Sequence, residues 1–325
     1  MAGFRHEALV EYESHFCTTL RTNRPHWNTV HDDIRFFKCE KYTGIDLLAG
    51  GVPCPPFSIA GKQLGADDQR DMFPAALELV QKMKPRAVLL ENVPGLASKK
   101  FEHYRRNLLA SLSKLGYQPE WNVLQAADFG VPQLRPRFIL VALQPADAEF
   151  FEWPVPSCPG RSVGETLVDL MGANGWPGAA AWAGRAMGIA PTLVGGSKLH
   201  GGPDLGPTRA KEQWRKLAVD GMGIADAAPD ETFPENGLPR LTLNMVARIQ
   251  SFPDEWKFVG GKTIAYRQVG NAFPPLVAKA VGLAIRRAFA RKRTFTNSNG
   301  HSKELRLLEK YQPKETAAVR GRQPI

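Results

Sequence analysis

Cysteine is scarce in this chain, four in 325 residues, and Cys17, Cys39, Cys54 and Cys158 fall at no metal-ligand spacing. That density also argues against a disulfide scaffold and for a reducing compartment. The sequence lacks any apolar run of about 18 residues, the length a membrane-spanning helix needs. Its first residues, Met1-Ala2-Gly3-Phe4-Arg5-His6-Glu7, lack the charged-then-apolar layout of a secretory leader. No internal repeat is visible. The expectation is a cytoplasmic protein with no metal and no membrane partner.

Acidic residues are in deficit, and the net charge is +10. Nine Lys or Arg against three Asp or Glu put +6 of this into residues 291–325, leaving +4 for the rest. A basic balance favours a polyanionic partner through counterion release, although a basic tail also serves as a solubilising extension. Hydrophobic residues make up 43% and charged residues 23%, enough for a large core in two units.

Strand-like Glu7-Ala8-Leu9-Val10-Glu11-Tyr12 is followed by a helix over 14–23, stopped by Pro25. Phe73, Ala76, Leu77, Val80 and Met83 share one face of a helix predicted from about Arg70 to Lys84. A further helix runs from Phe101 to Leu115 and closes at Gly116. Apolar runs at 45–49, 87–90, 121–124 and 138–142 read as strands, and the alternation predicts a parallel α/β sheet. Near residue 145 the chain turns rich in Gly, Pro, Ala and Trp, and a loop-dominated unit is expected. Helices return at 241–250 and 275–290. The predicted division is 1–144, 145–239, 240–290 and a basic tail, 291–325.

Chemistry concentrates at the strand ends. Gly51-Val52-Pro53-Cys54-Pro55-Pro56-Phe57-Ser58 follows the first apolar run and holds a thiol among three prolines. Glu91-Asn92-Val93 closes the second run with a carboxylate. In doubly wound sheets ligands bind outside the carboxyl ends of strands, so thiol and carboxylate belong on one rim. Gln133-Leu134-Arg135-Pro136-Arg137 leads into another strand, and Arg267-Gln268-Val269-Gly270-Asn271-Ala272-Phe273-Pro274-Pro275 precedes the last helix. Each piece alone has a plain reading: a buried thiol, a capping acid, a surface arginine pair.

In this order and spacing the segments resemble the DNA cytosine-5 methyltransferases, from about Gly3 to Ala288 with a gap in the middle. The resemblance implies a Rossmann-like, S-adenosylmethionine-dependent methyltransferase sheet with a smaller target-recognition domain over about 145–240. It also implies double-stranded DNA as substrate, a bacterial cytosol or nucleoid setting, and a cognate restriction endonuclease as a partner. Cytosine C5 accepts an electrophilic methyl only after a thiolate adds to C6; elimination then restores the ring. The base must first leave the duplex stack. Cys54 matches the family's nucleophile, although Pro55 stands where the family usually has Gln. Glu91 resembles the acid that holds N3 and the exocyclic amine. Arg137 resembles the residue that bonds O2, with Arg135 as its support.

For the cofactor, the resemblance points to Glu11 on the ribose, Asp33 and Ile34 at the adenine, and Phe73 as an apolar wall. Asn271 and Ala272 would cover the methionine side, bordered by Phe4 and Pro53. For DNA it points to Ser58, Lys62 and Arg70 in and after a loop closing on the duplex, with Gln133. Lys198 and Arg209 belong to the middle region, where Gly195-Gly196-Ser197-Lys198 lacks the full phosphate-loop spacing. Family members begin with a strand and a turn of the form Phe-x-Gly-x-Gly-Gly, and this sequence starts just after it, at Ala2-Gly3-Phe4. Three readings stand: an upstream start, a separate chain supplying that strand, or a truncated, catalytically silent DNA-binding remnant. An RNA cytosine methyltransferase on the same scaffold is a further alternative.

Overall fold

Alternating strand and helix segments assemble into a parallel strand pair and a mixed four-stranded sheet with helices packed around them. The computed structural model describes residues 1–53, 71–195 and 202–296, with residues 291–296 as backbone only. In the larger sheet β3 (Leu47–Gly51), β4 (Ala87–Asn92), β5 (Gln118–Gln125) and β6 (Pro136–Leu143) lie in the order β3-β4-β6-β5. A separate pair joins β1 (Leu9–Glu11) to β2 (Thr29–His31), in parallel. Among the described residues no hydrogen-bonded pairing links the two sheets.

The parallel expectation holds for β1–β2 and β3–β4 but not for β6, which runs antiparallel to both β4 and β5. Residues 126–135, between β5 and β6, hold one short 3-10 turn. That connection is too brief for the helical crossover a parallel pair requires.

Both faces of the sheet are covered, which explains the continuous apolar runs. Val88 and Leu90 of β4 and Phe138, Leu140 and Ala142 of β6 join Phe73, Val80, Leu108 and Leu112 in one cluster. These last four come from α2 (Phe73–Met83) and α3 (Glu102–Lys114). The alternate residues Ala87, Leu89, Ile139 and Val141 pack on the other face against Val277, Val281, Ile285 and Ala288. Those belong to the long last helix, α10 (Pro275–Thr296). The period of two is what a two-faced strand demands. α1 (Ser14–Asn23) matches the predicted span. α2 closes on Lys84, in the left-handed region at φ 47°.

The middle segment is more helical than its composition suggested. After the single turn α4 (Pro145–Ala148), it forms α5 (Val163–Met171), α6 (Ala179–Arg185) and α7 (Thr208–Lys216). Ser162 and Glu165 cap α5 reciprocally, satisfying backbone donors that would otherwise lack partners. Trp182 and Trp214, both fully buried, anchor α6 and α7 in one core. That core continues through α8 (Leu243–Ile249) to Tyr266 and Val269 of α9 (Lys262–Asn271). Packing therefore shows no break at residue 240; the chain rejoins the sheet's own core only at α10.

Candidate active site

The site is built where β3 and β4 end side by side. Gly51 lies opposite Glu91 in the parallel register, the Val52 N–H donates to the Glu91 carbonyl at 3.1 Å, and Asn92 Nδ2 donates to the Val52 carbonyl at 3.3 Å. A Cβ on Gly51 would stand 3.2 Å from Glu91 Oε2, tighter than a side chain comfortably allows. The backbone that leads into the Cys54 segment thus leaves the sheet beside this carboxylate. Pro53 is exposed. Cys54, Ser58, Lys62, Arg70 and Lys198 lie outside the described residues.

The structure brings Glu91 and Arg137 together. Arg137 Nε lies 2.8 Å from Glu91 Oε1, and both side chains are about nine-tenths buried. Burial pushes the Glu91 carboxyl up from the usual carboxylate range, while Arg137 and Arg135 pull against it. The balance is upward because a desolvated carboxylate loses more hydration than one adjacent guanidinium returns. An acid held in this way suits donation to a ring nitrogen as well as acceptance from an amine.

Of the two neighbouring residues, Gln133 departs from its expected place and Arg135 does not. Arg135 is buried, and its guanidinium donates to the carbonyls of Leu193 (2.6 Å), Gly270 (2.6 Å) and Ala272 (3.1 Å). It supports the arrangement from behind and does not face a substrate. Gln133, expected on DNA, is completely buried. Its Oε1 accepts the Leu193 N–H at 2.9 Å and its Nε2 donates to Gln250 Oε1, which leaves no face for a nucleic acid.

On the cofactor side the fit is partial. Glu11 ends β1, and its Oε1 accepts the Glu13 N–H at 2.8 Å. Burial raises its carboxyl, opposed by backbone N–H groups and by His31 opposite it on β2. A half-desolvated, oriented carboxylate of this kind fits a ribose diol. Asp33 instead is engaged by Arg35, whose Nε donates to both of its oxygens at 3.0 and 3.1 Å. That pair would have to open before Asp33 could meet an adenine. Ile34 packs against the Cys39, Tyr42, Leu79 and Met83 cluster. Phe73 is 1% exposed and edge-on to Tyr104, so it is core and not a pocket wall. Phe4 packs edge-on against Phe289 of α10. The Ala272 carbonyl is held by Arg135 and Gln250, and Asn271 lies beside Gly195, whose added Cβ would come within 2.5 Å of Asn271 Oδ1. Arg209 is exposed on α7.

Sequence reading missed Gln250, whose only signal is a polar residue following an apolar helix end. Among the described residues no three His, Cys, Asp or Glu side chains gather as a metal would need, and no helix is long and apolar enough to cross a membrane.

A buried strand-end carboxylate paired with arginine, beside the strand that leads toward Cys54, is the arrangement the cytosine-methyltransferase resemblance calls for. Residues 1–287 match the family model for C-5 cytosine-specific DNA methylases, and the chain belongs to that family. It is 55% identical over 291 residues to the Type II methyltransferase M.NaeI of Lentzea aerocolonigenes, covering 88% of this chain and 70% of that protein. With M.NgoMIV of Neisseria gonorrhoeae it shares 50% identity over 300 residues, 90% of this chain and 93% of the relative. The fold agrees with a solved Dnmt2 of Spodoptera frugiperda at a TM-score of 0.57 and 17% identity, covering 89% of this chain and 94% of that one. The chain is a DNA cytosine-5 methyltransferase of an S-adenosylmethionine-dependent family.

Proposed function

We propose that the chain methylates cytosine at C5 within a specific double-stranded DNA sequence, with Cys54 as nucleophile toward C6 and Glu91 and Arg137 binding the extruded base. The observation that carries this reading is the buried Glu91–Arg137 pair beside the exit of β3. Glu91 would hold N3 and the exocyclic amine, withdrawing electrons so that C6 becomes electrophilic. Arg137 would bond O2 and offset charge as it develops. S-adenosylmethionine, when bound, supplies the electrophilic methyl. Glu11 would take its ribose, and the Asn271–Ala272 turn would border its methionine side. Residues 145–239 are proposed as the target-recognition unit, with Lys198 and Arg209 toward DNA, as in a restriction-modification system with a cognate endonuclease.

Incubation with duplex DNA carrying 5-fluorocytosine and S-adenosylmethionine tests this. A denaturation-resistant adduct that Cys54→Ser abolishes is expected. An adduct that survives that substitution would sink the assignment, and no adduct at all would favour the silent remnant.

A second feature bears on the cofactor. β1 and β3 share no hydrogen bonds among the described residues, although Ala8, before β1, and Leu48 of β3 pack on one apolar cluster. Ala49, Gly50 and Gly51 of β3 are exposed, whereas every residue of β4 is buried. Open strand edges of this kind are normally paired or covered. We infer that a further parallel strand lies between β1 and β3, carried upstream or on a separate chain, and completes the S-adenosylmethionine site.

A further inference from the structure

Four chain segments meet in the interior around a run of hydrogen bonds that the proposed chemistry does not use. Gln250, just after α8, is completely buried. Its Nε2 donates to the Ala272 carbonyl at 2.6 Å, and its Oε1 accepts from Gln133 Nε2. Gln133 Oε1 in turn accepts the Leu193 N–H, and Arg135 joins the Leu193, Gly270 and Ala272 carbonyls. The sense of this chain is fixed at both ends. The Ala272 carbonyl can only accept and the Leu193 N–H can only donate, so each amide has one workable orientation.

The contacts around it are equally close. A Cβ on Gly270 would sit 2.4 Å from Gly195 Cα, so two backbones cross at van der Waals distance. One of them leads into residues 196–201, and the other leads into the Asn271–Ala272 turn. Arg135 stands two residues before Arg137, which pairs with Glu91.

We propose that Gln250 is a positioning residue for methyl transfer. It holds the Asn271–Ala272 turn on the cofactor side and, through Gln133 and Arg135, the base-binding Arg137 and Glu91 in one register. The proposal rests on reading Glu91 and Arg137 as the base-binding pair. A site that only needed filling would accept an apolar residue here, among Leu241, Val246 and Ile249 of the same core. A buried polar chain is worth its desolvation where it selects one arrangement over near alternatives.

Gln250→Leu and Gln250→Glu, compared with wild type, test this through thermal unfolding, kcat, KM for DNA and the rate of 5-fluorocytosine adduct formation. A misplaced reacting group costs on the order of 100-fold in rate. We expect a fall of about that size in kcat and adduct rate, with KM for DNA within about threefold, in protein that is still folded. Gln250→Glu keeps the volume but turns an ionised carboxylate toward the Ala272 carbonyl. Its deficit relative to wild type should shrink as pH falls and the buried carboxyl regains a proton to donate. A lowered melting temperature with unchanged kcat in the folded fraction would overturn the proposal. Should Gln250→Leu fail to fold, Gln250→Glu and its pH dependence decide alone. If wild type itself forms no adduct, the base-binding reading fails first, and the inference falls with it.

Discussion

The proposed base-binding and cofactor-binding halves of this site differ in how far they are built. At the base-binding end, Glu91, Arg137 and Arg135 are buried and locked to strands and carbonyls. At the cofactor end, β1 and β2 form a two-stranded pair apart from the main sheet, and Asp33 spends its carboxylate on an exposed neighbour. Preorganisation favours the step where charge develops, because dipoles already in place need no rearrangement during reaction. Among the described residues the proposed cofactor end rests on Glu11 and the Asn271–Ala272 turn, and should respond more to what binds there.

Substitutions sharpen that contrast. Cys54→Ser should reduce methyl transfer to background, measured by tritiated methyl incorporation into duplex DNA. Phe73→Ala should cost about 3–5 kcal/mol, as expected for a large core aromatic, and urea unfolding would measure it; a loss confined to cofactor affinity would restore Phe73 as a pocket wall. Gly270→Ala drives a methyl group into the Gly195 backbone and should cost roughly 1–3 kcal/mol or more, read as a lowered melting temperature together with reduced kcat.

Glu91 gives a pH signature. A carboxyl raised in the folded state binds its proton more tightly there than in the unfolded chain. Its contribution is therefore fully present below the ordinary glutamate value of 4.5 and is lost as pH rises through the higher folded value. Wild type should lose stability relative to Glu91→Gln as pH climbs from about 4.5 toward neutrality, measured by urea unfolding at several pH values. A constant difference would mean the two arginines cancel burial, and a wild type that gains stability as pH rises would mean they outweigh it. The smallest effect is expected at the open end. Arg35→Ala should leave the melting temperature unchanged, since the pair is exposed, and improve S-adenosylmethionine affinity by no more than about threefold by freeing Asp33.

The positions of Glu91 and Arg137 were legible in the sequence because one closes an apolar run and the other opens one, and a strand end fixes where a side chain emerges. The sequence also located α1, between an extended start and Pro25. Gln133 was misread because it sits in a run of arginines that looks like surface, while its amide partner lies 117 residues away. No local pattern reports such a pairing. The helices of the middle unit were obscured by Gly and Ala, since their packing depends on a few large anchors such as Trp182 and Trp214. The strand directions were misjudged because apolar runs report burial on two faces and carry no information on direction.

The proposed contrast is a base-binding end already formed and a cofactor end that takes one more strand between β1 and β3. Calorimetric titration of S-adenosylmethionine into the 325-residue chain, alone and joined to an upstream strand and Gly-rich turn, tests it most directly. The account predicts weak binding by the chain alone and tight binding once the strand is supplied. Equally tight binding by both forms would contradict it.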